Sequence, residues 1–278
     1  MNAAVVIIAY SDTPSELELA SFRQCLHVLG NHPLIVVCPR SLRTARYDRE
    51  IERSDNQVVF KRFEDSCFDG IAAYNQMMRS VTFYEAFQEY EYILIYQLDA
   101  WVFRDELDDW RRKGYDYIGA PWYSDEGVML SCAGNGGFSL RKVATFVELL
   151  SGRMEKTCCW NYAYVWQELR KISFIHQYDV WRQELFEMIH CRQSLSRYAC
   201  RASENEDVVF LRIFSFITGI KIANSREALL FSFERFPEDA YQKTEGRLPF
   251  GCHAFARYNP EFWARWIPAL AHDFQKPE

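Results

Sequence analysis

The sequence predicts an α/β protein built on a doubly wound, mostly parallel sheet. Three observations predict it. Apolar, β-rich runs alternate with stretches of helical periodicity through the first half of the chain. The most apolar run, residues 92–98 (YILIYQL), is continuous rather than alternating, as in strands covered by helices on both faces. That run ends at a single carboxylate, Asp99, where open α/β sheets bind their ligands. An ionised carboxylate there is costly to desolvate unless a cation pairs with it.

The elements follow in order. Residues 4–9 form the first strand. Leu19, Phe22, Leu26 and Leu29 recur at helical spacing, with Gly30 as the stop. Residues 34–38 form a second strand halted by Pro39, and residues 58–60 a third. Residues 70–87 read as one helix with Ile71, Tyr74, Met78, Val81 and Phe87 on its apolar face. The strand at 92–98 follows, then a short polar helix at 106–112 and a short strand at 115–118. Beyond Leu150 the pattern changes. Residues 158–195 are aromatic and helical, without a strand, and suggest an insertion. Residues 204–216 and 225–233 read as helices flanking a strand at 220–223. No repeat, low-complexity tract or Pro/Gly linker divides the chain, so residues 1–278 are expected to form one domain.

Composition narrows the function. Hydrophobic residues are 49% and charged residues 25% of the 278, an ordinary globular balance. A formal net charge of −6 argues against nucleic acid as a partner. Aromatic residues make up 16%; most serve the core, and some suit stacking walls of sugar or base sites. The 9 cysteines are odd in number and contain no C-x-x-C, so neither a zinc motif nor a disulfide framework is expected. MNAAVVIIAY lacks the basic start of a signal peptide, and no stretch approaches the ~20 apolar residues of a membrane span. A cytoplasmic protein with reduced thiols is expected, and peripheral contact with the inner face of a membrane is compatible with this composition.

Several chemistries are disfavoured by missing motifs. There is no G-x-x-x-x-G-K-[ST], no G-x-G-x-x-G after the first strand, no G-x-S-x-G and no H-E-x-x-H. A phosphatase would want an acid two residues after Asp99, where Trp101 stands. A nucleotidyltransferase would want a basic glycine-rich loop, which residues 9–15 lack.

Four further segments can carry chemistry. In GYDYIGAPW (114–122), Gly119 lets the chain turn or approach a ligand closely, and Trp122 offers a flat wall. In GNGGFSLR (134–141), three glycines can expose N–H groups as an anion-binding concavity. Ser139 there suits the N-cap of a following helix, and Arg141 at such a helix start would oppose the dipole. In SENED (203–207), Ser203 and Glu206 fit a capping box, while Glu206 or Asp207 could act as a general base. In PFGCHAF (249–255), His253 could be a structural hydrogen-bonder or a ligand for a Mn-class ion.

Taken together and in this order, ILIYQLDAWVF, YDYIGAPW, GNGGFSLR, NEDVVF and PFGCHAF resemble a mostly uncharacterised family of GT-A-type glycosyltransferase-like proteins of surface-polysaccharide biosynthesis. The resemblance covers residues 70–255. It implies a GT-A-like fold with a helical insertion in the second half, residues to about 150 binding a nucleotide-sugar donor and the remainder binding a glycan or lipid-linked acceptor. It implies that Asp99 is the surviving acid of the metal motif, with His253 its metal-binding partner for Mn²⁺ or Mg²⁺. Asp207, with Glu206 beside it, matches the acid motif that supplies the base of inverting enzymes. Tyr10, Tyr74, Asn75, Gln97 and Asp99 fall on the donor side, and Trp122, Asn135, Gly136 and Gly137 on the acceptor side. The departure is Trp101, which leaves the metal motif with one acid. A catalytically silent domain of the same fold, binding a carbohydrate or a partner, is the alternative expectation.

Overall fold

A computed structural model describes residues 2–154, 159, 161 and 195–270. Four parallel strands form most of a six-stranded sheet: β1 (Ala3–Ile8), β2 (Leu34–Pro39), β3 (Val58–Phe63) and β4 (Tyr92–Gln97). Two antiparallel strands, β6 (Tyr117–Ile118) and β9 (Phe138–Lys142), complete the order β3-β2-β1-β4-β9-β6. The chain reverses its direction of winding between β1 and β4, so a crevice opens at their carboxyl ends. Ile8 pairs with Gln97, which brings Tyr10 and Asp99 out at the same edge.

Every residue of β1 is buried, and its side chains alternate between two cores. Ala4, Val6 and Ile8 join the core beneath α3 (Ile71–Met78), α4 (Val81–Glu85), α6 (Val143–Leu150) and α8 (Glu206–Phe216). Ala3, Val5 and Ile7 join the opposite core with α1 (Glu16–Leu29), α2 (Ala45–Glu52) and α5 (Leu107–Arg112). Each fully buried Val or Ile stabilises the sheet by roughly 1.5–3 kcal/mol. Helix α1 begins in a capping box in which Ser15 accepts from Glu18 N and the Glu18 carboxylate accepts from Ser15 N.

Several expectations are corrected. The helix expected over 70–87 is two helices, because Ser80 leaves the helical region and its hydroxyl accepts from Phe83 N to restart the chain as α4. Residues 220–223 form no strand beyond one bridge, between Tyr117 and Ile222. The expected helix over 225–233 ends two residues early, in a strand. β10 (Ser232–Phe233), after α9 (Ser225–Phe231), pairs with β11 (Gly251–Cys252), which pairs with β5 (Trp101–Val102). A hairpin of β7 (Pro121–Tyr123) and β8 (Met129–Ala133) also lay unread in the sequence. The expected helical insertion at 158–195 falls largely outside the described residues, save α7 (Leu195–Arg201) at its end. Among the described residues no helix is long and apolar enough to cross a membrane.

Candidate functional site

Two strand pairings build the site around Asp99. Cys252 of β11 pairs antiparallel with Trp101 of β5, which draws His253 alongside Asp99. Strand β9 runs antiparallel to β4, so the Asn135–Gly137 loop lies beside Gln97, whose N–H donates to Gly137 O at 2.9 Å. An added Cβ on Gly137 would overlap the His253 imidazole, so only glycine fits against that ring.

The His253 ring is held from both sides. Nε2 lies 3.1 Å from Asp99 Oδ1 and 3.1 Å from Gln97 Oε1. Nδ1 lies 3.1 Å from Glu234 Oε1, which also accepts from Asn135 Nδ2 at 2.7 Å. All three partners are placed as acceptors, an arrangement that favours a proton on both ring nitrogens. Burial alone would lower the His253 pKa, but the Asp99 and Glu234 carboxylates outweigh it and raise it to about 10. Burial alone would raise the Asp99 carboxyl; His253, with Arg257 adding to it, holds it below its usual value. The Asp99 side chain is 50% exposed and faces the crevice mouth.

The donor atoms can be tested against a divalent cation. One carboxylate and one imidazole nitrogen, with an amide oxygen beside them, suit a Mn²⁺-class ion. Glu234 on the far ring nitrogen is the outer carboxylate that fixes a ligating imidazole. Among the described residues no group of three or more His, Cys, Asp or Glu side chains is arranged to hold a metal. The fit is therefore to an ion with two protein ligands, completed by phosphate oxygens and water as Mg²⁺-type sites commonly are, and it requires His253 Nε2 to release its proton to the solvent first.

Across Gly136–Gly137 lies a second charged group. Asp207 Oδ2 accepts from Gly136 N at 3.1 Å and Oδ1 from Val208 N at 2.7 Å. Burial first, then the Glu206 carboxylate, raise the Asp207 pKa to about 7, against the pull of these N–H donors and Arg141. Glu206 is engaged elsewhere: Arg141 Nη2 donates to its Oε1 at 2.7 Å, and both side chains are buried. Arg141 also donates to Tyr84 OH at 2.9 Å and to Gly136 O at 3.2 Å, tying the glycine loop to the start of α8.

Three expectations change here. Ser139 and Arg141 lie in β9, not at a helix start, and Arg141 is an interior charge paired with Glu206. The Ser203–Glu206 capping box does not form; Asn75 Oδ1 instead accepts from Glu206 N at 2.8 Å, a cap supplied from α3. The Gly136 and Gly137 N–H groups are not free to bind an anion, because they donate to Asp207 and to Asn135 Oδ1.

The remaining candidates divide into two sets. Gln97 joins Tyr74 to His253, since its Nε2 donates to Tyr74 OH at 3.0 Å. Tyr10, 60% exposed, lies within electrostatic reach of Asp99 at the end of β1. Asn75 sits deeper, its amide spent on the start of α8 and on Ile71 O. Trp122 is partly buried against the core rather than standing free as a wall. Glu234 was not foreseen; its signal was an acid between aromatics in FSFERF (231–236).

A family model described as "Protein of unknown function (DUF5672)" matches residues 57–253. No curated protein matches the chain. Among solved structures, the galactosyltransferase LgtC, in complex with donor and acceptor sugar analogs, matches with a TM-score of 0.51 and 13% identity, over 99% of this chain and 97% of its own. The apo form of the glycosyltransferase GlyE of Streptococcus pneumoniae TIGR4 matches with a TM-score of 0.51 and 11% identity, over 99% of this chain and 63% of its own. Core-mannan synthase A from Aspergillus fumigatus, in a Mn/GDP form, matches 45% of this chain at a TM-score of 0.36 and 13% identity, and the chain spans 43% of that structure. The first two likenesses give the chain a GT-A glycosyltransferase fold.

Proposed function

The chain belongs to DUF5672, a family of proteins of unknown function, and we propose that it is a nucleotide-sugar-dependent glycosyltransferase. In this reading it is an inverting, metal-assisted enzyme of surface-polysaccharide biosynthesis, acting on the cytoplasmic side with peripheral contact to the membrane. It transfers a sugar from a nucleoside-diphosphate donor to a hydroxyl of a glycan or lipid-linked acceptor. The observation that carries the reading is the pairing of Asp99 and His253 at the carboxyl end of β4 with a carboxylate of pKa about 7 across the glycine loop.

Each residue then has a task. Asp99 and His253 would hold Mn²⁺ or Mg²⁺, which when bound neutralises the donor diphosphate as leaving group. Glu234 and Gln97 orient His253, and Gln97 is oriented in turn by Tyr74. Tyr10 borders the donor. Asp207 takes the proton of the acceptor hydroxyl as its oxygen attacks the anomeric carbon opposite the departing diphosphate. A base with a pKa near 7 is matched to that transfer at neutral pH. Glu206, locked to Arg141, anchors Asp207 rather than acting as base. Asn75 positions both acids, and Trp122, Asn135, Gly136 and Gly137 shape the acceptor side.

The test is a panel of UDP-, GDP- and dTDP-sugars with Mn²⁺ and with EDTA, and NMR assignment of the product anomer. Turnover that EDTA removes, with inversion, is expected; retention would sink the inverting assignment. The second reading is a catalytically silent domain that binds a carbohydrate or a partner. The single acid of the metal motif and the His253 ring clamped between acceptors favour it. Absence of both turnover and calorimetric nucleotide binding across the panel would establish that reading instead.

A further inference from the structure

The segments that follow Glu234 and His253 enclose a second concavity of about 350 Å³. Arg235, Phe236 and Asp239 line one side, and Arg257 and Tyr258 the other. It adjoins the crevice, since Phe255 N, two residues before Arg257, donates to Asp99 O at 3.4 Å. The proposed transfer uses none of these five residues.

Two features point to a ligand. Phe236 has φ 52°, a left-handed backbone that costs a bulky residue about 1–3 kcal/mol, and the residue is nonetheless 37% exposed. Its backbone geometry is kept at a cost in stability while the ring stays in reach of solvent, packed 5.5 Å from Tyr123. In addition, the guanidinium groups of Arg235 and Arg257 both approach the Tyr258 ring, at 6.0 and 5.2 Å. Arg235 is paired with Asp125, whereas exposed Arg257 has no ion-pair partner among the described residues.

We propose that this concavity is a subsite for one acidic sugar unit of the acceptor glycan, its ring against Phe236 and Tyr258 and its carboxylate or phosphate on Arg257. Aromatic faces receive the apolar face of a pyranose, and a guanidinium pairs with either anion. The inference rests on the glycosyltransferase reading for the identity of the ligand as acceptor.

The experiment is saturation-transfer NMR and calorimetry on the full chain with glucose, glucuronic acid and glucose 6-phosphate as probes, and with UDP and GDP plus Mn²⁺. At least one acidic probe is expected to bind about tenfold more tightly than glucose, in line with one charge-assisted contact. The glucuronate and phosphate arms separate the two anions. Arg257→Gln should remove that preference. Phe236→Asn keeps a residue that tolerates the left-handed backbone and should weaken the acidic probe while leaving nucleotide affinity unchanged, with a thermal melt confirming the fold. Equal binding of glucose and both acids, unchanged affinity in both variants, or a loss of nucleotide rather than sugar affinity in Phe236→Asn would overturn the proposal. Acidic-sugar binding that responds to both variants without nucleotide binding would uphold the subsite as a saccharide site and defeat the glycosyltransferase reading.

Discussion

Glu234 Oε1 lies 3.1 Å from His253 Nδ1, on the ring edge opposite Asp99. A carboxylate in that position fixes which ring nitrogen faces the crevice, and removing such a partner weakens metal binding by about 10–100-fold. Glu234→Ala should weaken Mn²⁺ binding by that factor in calorimetry, while Glu234→Gln, whose amide oxygen still accepts from Nδ1, should recover most of it. Equal Mn²⁺ affinity in Glu234→Ala and the parent would show that Glu234 does not orient the ring.

Mn²⁺ affinity should rise with pH. The imidazolium is retained up to about pH 10, and a metal on Nε2 must displace that proton. Below that value each unit of pH should tighten binding by up to about tenfold. Isothermal titrations at pH 6, 7 and 8 would reveal the trend, and a flat profile would remove His253 as ligand.

Asp207→Asn should abolish transfer and leave donor binding intact. It should also change stability in a pH-dependent way. The Asp207 pKa is raised from 3.8 to about 7 on folding, so the native state holds the proton more tightly than the unfolded chain. Its favourable contribution is complete below pH 3.8 and is lost as pH rises through about 7. Relative to the parent, Asp207→Asn should therefore gain stability across that window, on the order of 4 kcal/mol at its upper end. Urea unfolding at pH 5 and pH 8 checks the sign; a gain that is the same at both pH values would contradict the shifted carboxyl.

Arg141→Ala would leave Glu206 ionised, buried and unpaired, and should cost about 3–5 kcal/mol. The double variant Arg141→Met, Glu206→Leu removes both charges and should recover most of that loss. Chemical denaturation of the single and double variants distinguishes a paired charge from simple loss of packing.

Gly137→Ala should displace the His253 ring without straining the backbone, because Gly137 is not among the residues with positive φ. Mn²⁺ affinity should fall, and the melting temperature should fall with it as the buried ring is pushed off its three partners. Unaltered Mn²⁺ affinity would show that the ring need not sit against residue 137.

Legibility in the sequence followed the range of the interactions. The strands β1, β2 and β4 were readable because burial on both faces demands continuous apolar runs. The break between α3 and α4 was not, because the apolar spacing carries through it and a single serine cap decides it. Ser139 and Arg141 read as a helix start because the apolar–polar alternation of Phe138, Ser139, Leu140 and Arg141 spans only four residues, and its polar face is buried in a network rather than solvated. The strands β5, β10 and β11 are two residues each, too short for any periodic signal, yet they set His253 beside Asp99.

The sequence by itself determined the α/β class and Asp99 at a strand's carboxyl end, because local apolar periodicity reports burial directly. The tertiary structure alone decided what surrounds that carboxylate. Gln97 meets His253 across 156 residues and Arg141 meets Glu206 across 65, through strand pairings and helix packing that leave no mark in the local pattern. Those contacts raise the His253 pKa between Asp99 and Glu234 and lift that of Asp207 toward neutrality, since charge states in a buried site depend on neighbours in space rather than in sequence.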